Sequence, residues 1–305
     1  MKKSTIISLL AIFIFSSCLM TSTLNIHAQQ NTGLSAMTLV SFGDNNSSTG
    51  TNIQSIENKT VSYIGNSSGY LVYPSLNQSG TAEKKLPAIV MIHENKGLND
   101  YIKESANILA KNGYVVLAVD LFDGEVTTDQ NRSRELTSVI RENPDVALEN
   151  LKGAVTYLGS LDNVNASKIA SLGWCFGGQQ SLELSLNSAD NPLAATIIYY
   201  GRLTNDTQAI SNITWPVLGI FGEKDQSISV DSVKQFQKIL NDTGITNEIY
   251  IYPNVGHAFA NPSNDNYAPK ETADAWKKTL DFLGKYLQAS GTDKTILSSI
   301  FQSVT

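Results

Sequence analysis

The sequence predicts an α/β fold, a mostly parallel central sheet with helices on both faces. Three observations carry this. Short, continuous apolar runs recur, as strands covered on both faces require. Helix-like stretches separate them, the alternation that gives parallel pairing. No composition break interrupts residues 57–288, so these form one large domain within a chain of 305 residues.

The elements follow in order. Residues 60–64 and 70–73 are β-rich and joined by Gly65-Asn66-Ser67-Ser68-Gly69, an opening hairpin. Residues 86–92 are a buried strand, 101–112 a helix with Gly113 behind it, and 114–120 a second buried strand. No element is assigned from Phe122 to Pro144. A helix over 145–158 and a strand over 169–172 lead to a Gly-rich turn, and a helix follows over 179–187. Strands at 195–200 and 216–222, a helix at 230–241, a strand at 248–252 and a helix at 271–287 complete the domain.

The ends are different in kind. Lys2-Lys3 precede an apolar run over 6–20 that is too short for a confident membrane span. Ile26-His27-Ala28 fits a cleavage site, so residues 1–28 are expected to be a signal peptide and the protein exported, extracellular or at the cell surface. Phe15-Ser16-Ser17-Cys18 is an imperfect lipid-attachment sequence, which leaves membrane attachment through the N-terminus as the alternative. Residues 29–56 are a polar, flexible linker and 289–305 a C-terminal tail. The balance of 22 Lys and Arg against 28 Asp and Glu, without a basic run past Lys3, argues against a nucleic-acid partner.

The turn reads Gly173-Trp174-Cys175-Phe176-Gly177-Gly178. Gly-x-Cys-x-Gly between a strand and a helix is the nucleophile elbow of an α/β-hydrolase, with cysteine in place of serine. The sharp turn strains the nucleophile's backbone and leaves no room for a Cβ at the flanking glycines. Cys18 lies in the targeting segment, so the mature chain keeps only Cys175 and can form no internal disulfide. A lone thiol in an exported protein invites oxidation, which a catalytic role would explain. Only His93 and His257 remain outside that segment, too few for a clustered metal site. No dinucleotide or P-loop motif occurs. Neither metal nor cofactor is expected.

Ligands of open α/β sheets sit beyond the carboxyl ends of the strands. Cys175, then Asp225 after Gly222-Glu223-Lys224, then His257 after Asn254-Val255-Gly256 each follow a strand. Nucleophile, acid and histidine in that order are the α/β-hydrolase arrangement. Cys175 would attack an acyl carbon, His257 would move the proton, and Asp225 would fix the imidazole. The Phe176 N–H would form half of an oxyanion hole, and the loop after residues 88–92 the other half.

Residues 57–288 resemble the dienelactone hydrolase family. The resemblance is carried by His93-Glu94-Asn95-Lys96-Gly97-Leu98-Asn99, Val119-Asp120-Leu121-Phe122, the elbow, Tyr199-Tyr200-Gly201, Gly222-Glu223-Lys224-Asp225 and Gly256-His257-Ala258-Phe259. It implies a cysteine nucleophile and a hydrolase of small esters or lactones. It also implies that Glu94 contacts the resting thiol and helps deprotonate it, and that the Asn95 N–H is the second oxyanion donor. Without it, Glu94 is a loop carboxylate and His93 a strand-end histidine.

Dienelactone-cleaving members of the family hold their substrate carboxylate with arginines, one soon after the Asp-Leu-Tyr motif and one soon after the catalytic histidine. Asp120-Leu121-Phe122-Asp123-Gly124 and His257-Ala258-Phe259-Ala260-Asn261-Pro262 contain none, which argues against a small dianionic lactone. Trp174, Phe122 and Phe259 fit an apolar acyl pocket, with core packing as the competing role. Arg202 could bind an anion or simply be solvated. A ligand-binding or sensing protein with slow or no turnover is the alternative function, and the complete triad argues against it.

Overall fold

An antiparallel hairpin opens the computed structural model, which describes residues 55–75 and 85–288. Its strands are β1 (Ile56–Ile64) and β2 (Ser67–Pro74), and the turn uses Gly65 at a φ of 49°. β1 begins four residues before the expected start of the hairpin. The signal segment, most of the linker and the tail lie outside the described residues.

The chain then alternates. β3 (Leu86–Ile92) leads to α1 (Asp100–Lys111), whose N-cap Asn99 accepts the Ile102 N–H. β4 (Val115–Val119) leads to α2 (Gln130–Glu142) and α3 (Pro144–Ser160). β5 (Val164–Trp174), α4 (Phe176–Leu186), β6 (Ala195–Tyr199) and the one-turn α5 (Thr207–Ile210) follow. β7 (Val217–Gly222), α6 (Val230–Asp242), β8 (Asn247–Tyr252) and α7 (Pro269–Tyr286) end the domain.

The eight strands form one sheet in the order β1-β2-β4-β3-β5-β6-β7-β8. β1 and β2 run antiparallel at one edge, and β2 pairs antiparallel with β4. From β4 through β8 every pairing is parallel. The α/β architecture is therefore the one the apolar runs imply. Along β3, Ala88, Val90 and Ile92 pack on one face and Ile89 and Met91 on the other, the two-residue period of a strand buried on both sides. α1 and α7 cover the second face; α2, α3 and α6 cover the first.

Two differences from the sequence reading bear on the site. α2 stands where no element is assigned. Its buried positions, Ser133, Thr137 and Ile140, are mostly polar, so no apolar period marks it; the Asp129 side chain capping the Arg132 N–H is the local signal. And α4 starts at Phe176, three residues earlier than expected, directly behind Cys175. The free N–H groups of its first turn thus face the same side as the thiol.

Candidate active site

The elbow depends on close backbone packing. Cys175 has φ 53° and ψ −114°, a left-handed conformation that a residue with a side chain rarely adopts. Its N–H is held by the Tyr199 carbonyl at 2.9 Å. A Cβ on Gly177 would lie 2.3 Å from the Ile92 carbonyl oxygen and 2.4 Å from that of His93. A Cβ on Gly173 would lie 2.1 Å from the Gly177 oxygen. Only glycine at both positions lets α4 cross this close to β3 and β5.

The carboxyl ends of β5, β7 and β8 bring the chemical residues together. The Cys175 Sγ is 3.0 Å from His257 Nε2, and His257 Nδ1 is 2.7 Å from Asp225 Oδ2. The Asp225 side chain is wholly buried, and its Oδ1 accepts the N–H groups of Ser227 and Ile228 at 2.7 and 3.0 Å. A carboxylate so placed accepts the Nδ1–H, which leaves Nε2 facing the sulfur. Burial by itself would lower the His257 pKa; the bonds to Asp225 and Cys175 outweigh it and push the imidazole up to about 10.

Glu94 follows β3 and is buried. Desolvation raises its pKa, and the donors around it oppose that. Asn261 donates its carboxamide to Oε2, and the Tyr200 hydroxyl donates to Oε1 at 3.3 Å. The hydrogen-bond partner of the thiol is His257, not Glu94, so the thiol contact implied by the resemblance is absent from this arrangement. Asn95 lines the cleft, and its carbonyl accepts the Ser133 hydroxyl at 2.5 Å.

The cleft around Cys175 and His257 encloses about 330 Å³. Its walls are polar: Lys96, Thr128, Gln130, Ser133, Arg134 and Asn264 stand beside the chemical residues. The expected apolar acyl pocket is not there. Trp174 and Phe259 are fully buried in the sheet–helix core, Trp174 against Tyr199 and Trp276 and Phe259 against Tyr200 and Tyr252. Phe122 is buried against His93 and Phe176. The large apolar area of each ring is taken up by the core and not by the cleft. Arg202 is exposed and does not line the cleft. Instead Arg134 of α2 and Lys96 of the β3–α1 loop supply positive charge, neither of them in the two stretches lacking arginine. A larger groove of about 770 Å³ runs between α3 and the end of β1, and none of the chemical residues lines it.

Asn261, Tyr200, Ser133, Arg134 and Lys96 are the site residues that the sequence did not single out. Tyr200 and Lys96 lie within the Tyr199-Tyr200-Gly201 and His93-Glu94-Asn95-Lys96-Gly97-Leu98-Asn99 motifs, and Asn261 follows His257 by four residues. Ser133 and Arg134 were hidden with α2.

The family model of the dienelactone hydrolase family matches residues 74–287. A Methylorubrum extorquens protein bearing the name carboxymethylenebutenolidase is 29% identical over 213 residues, covering 66% of this chain and 72% of its own. A Bradyrhizobium protein bearing the name 2-oxo-3-(5-oxofuran-2-ylidene)propanoate lactonase is 28% identical over 214 residues, covering 67% of this chain and 85% of its own. Among solved structures, a Klebsiella pneumoniae protein titled a dienelactone hydrolase superposes with a TM-score of 0.67 at 24% identity, covering 76% of this chain and 100% of that one. With an eight-stranded α/β sheet and a family match over more than two thirds of its length, the chain belongs to the dienelactone hydrolase family of α/β-hydrolases.

Proposed function

We propose that the protein is an exported, cysteine-dependent hydrolase that cleaves carboxylic esters or lactones through an acyl-enzyme at Cys175. The observation that carries it is the contact chain from Cys175 Sγ to His257 Nε2 and from His257 Nδ1 to Asp225 at 3.0 and 2.7 Å. With its proton already passed to His257, the sulfur attacks the carbonyl carbon. The carbonyl π pair moves onto oxygen, where the Phe176 and Asn95 N–H groups receive it. The oxyanion then collapses, the C–O bond to the leaving group breaks, and His257 returns the proton to that oxygen. Water, deprotonated by His257, attacks the thioester; the C–S bond breaks and the thiol recovers its proton. Asp225 holds the imidazole tautomer throughout.

The polar cleft, with Lys96, Arg134 and Asp265 in its wall, suits a small acyl group with polar or charged substituents better than a long alkyl chain. Export is supported by Lys2-Lys3, the apolar run behind them and the cleavage sequence at Ala28.

The test is a panel of p-nitrophenyl esters and small lactones, given to the wild type, Cys175→Ala and His257→Ala, with the acyl-enzyme sought by intact mass. Wild-type turnover with an added acyl mass on the Cys175 peptide is expected. Equal turnover by all three proteins would sink the assignment. Export is checked by the mass of the cell-produced protein, which should lack its N-terminal segment or carry a lipid at Cys18.

A further inference from the structure

His93 takes no part in the chemistry just described, yet it is completely buried directly beneath the elbow. Its ring packs edge-on against Phe122 and stacks at 6.1 Å on Phe176. Both ring nitrogens are engaged. The Leu121 N–H donates to Nε2 at 3.1 Å, so Nε2 carries no proton. Nδ1 therefore carries the hydrogen of the neutral ring, and it donates to the Glu94 carbonyl oxygen at 2.6 Å. Burial lowers the His93 pKa, which favours that neutral form.

The consequence lies one bond further on. In a planar trans peptide, the N–H of Asn95 points opposite to the carbonyl of Glu94. The Glu94 carbonyl accepts the His93 Nδ1–H at 2.6 Å and, more loosely, the Gly97 N–H at 3.4 Å; held down onto the buried ring, it leaves the Asn95 N–H turned the other way, and Asn95 lines the cleft. Among the described residues, no protein acceptor takes that N–H. The far side of Asn95 is pinned as well, because Ser133 donates to its carbonyl.

We propose that His93 is the positioning residue of the oxyanion hole: its Nδ1–H anchors the Glu94 carbonyl and so keeps the Asn95 N–H aimed at the reacting carbonyl oxygen. A flip of this peptide would replace a donor with a carbonyl facing the developing negative charge. The other donor, the Phe176 N–H, belongs to the residue whose ring rests on His93, so one imidazole supports both halves of the hole. The proposal rests on acyl transfer at Cys175.

The two nitrogens can be tested separately. His93→Asn keeps an N–H donor near the Nδ1 position; His93→Gln places its polar group nearer Nε2 and loses the anchor. Three quantities are read for each: kcat on a p-nitrophenyl ester, the alkylation rate of Cys175 by iodoacetamide, and the melting temperature. Alkylation at a saturated carbon develops no oxyanion. His93→Gln should lose about 10²–10³ in kcat, the usual effect of losing one oxyanion donor, and His93→Asn should stay within about tenfold of wild type. KM and the alkylation rate should change little in either. Equal losses in both variants, an undiminished His93→Gln, or alkylation falling in step with turnover would overturn the proposal. Failure of both variants to fold would assign His93 to the core alone and overturn it too. Wild-type turnover by Cys175→Ala would remove the proposed function itself and this proposal with it. Absence of the Asn–Gln contrast removes only the latter.

Discussion

Asn261 donates its carboxamide to the buried Glu94 carboxylate, while Tyr200 donates to the other carboxylate oxygen. Two neutral donors thus hold a group that burial would otherwise push toward its protonated form. Asn261 is fixed in turn, because its own oxygen accepts the N–H and the hydroxyl of Ser263. With Glu94 engaged in this way, the thiol faces His257.

Replacing Asn261 by Leu removes a donor to the carboxylate, so the Glu94 pKa should climb further above its ordinary value of 4.5. A carboxyl with a raised folded-state pKa contributes stability that is fully present below the unfolded value and is lost as pH rises through the folded one. The gap in melting temperature between wild type and Asn261→Leu should therefore widen from pH 4 upward. If ionised Glu94 is the working form, the acid limb of kcat/KM should move to higher pH. A constant gap and an unmoved limb would show that Asn261 does not tune Glu94.

His257 carries the opposite charge with the same sign of linkage. Its pKa is raised to about 10 by Asp225 and Cys175 against the effect of burial. That stability is fully present below the unfolded value of 6.5 and is lost as pH rises through about 10. Asp225→Asn should flatten the fall of the urea midpoint between pH 7 and 10. It should also lower kcat by about 10⁴, because the carboxamide can hold the wrong imidazole tautomer. Urea titrations at three pH values, with kinetics alongside, check both effects.

Gly177→Ala sets a Cβ against two backbone carbonyl oxygens, neither of which can swing aside. Overpacking of this kind costs about 3 kcal/mol, and relief requires α4 to move away from β3. That movement would separate the Phe176 N–H from Asn95. Activity should fall more steeply than stability, as comparison of the urea midpoint with kcat would show.

Strand positions were legible in the sequence because a doubly covered parallel strand leaves a continuous apolar run, as in β3 and β4. The positions of Cys175, Asp225 and His257 were legible because the chemistry has a fixed order at strand ends. The cleft wall was not. α2 buries the polar Ser133 and Thr137 instead of presenting a wide apolar stripe, so its periodicity carries no helical signal, and Arg134 lies within it. Large aromatic residues near the nucleophile gave the opposite error. Trp174 and Phe259 flank the site in sequence, but their side chains enter the core.

Phe259 is fully buried among Tyr200 and Tyr252, so truncation to Ala should cost about 3–5 kcal/mol of stability through lost transfer energy and a residual cavity. The relative kcat/KM values for short and long acyl esters should stay unchanged, because the ring does not line the cleft. A shift in acyl-length preference without loss of stability would return Phe259 to the pocket.

Arg134 tests the polar character of the cleft directly. Among the described residues its guanidinium has no carboxylate partner and donates only to Asn131, whereas Arg132 is engaged by Glu125 and Glu135. Arg134 is therefore free to meet an anionic substituent on the acyl group. Such a contact at a solvent-exposed position is worth at most about 1 kcal/mol, roughly fivefold in KM. Arg134→Gln should raise KM by up to that factor for an ester carrying a free carboxylate and leave its methylated, neutral counterpart unaffected. The difference should shrink as salt is added, since exposed charges are screened over about 10 Å at 0.1 M ionic strength. Equal KM changes for the charged and neutral esters would mean that Arg134 shapes the cleft wall without reading substrate charge.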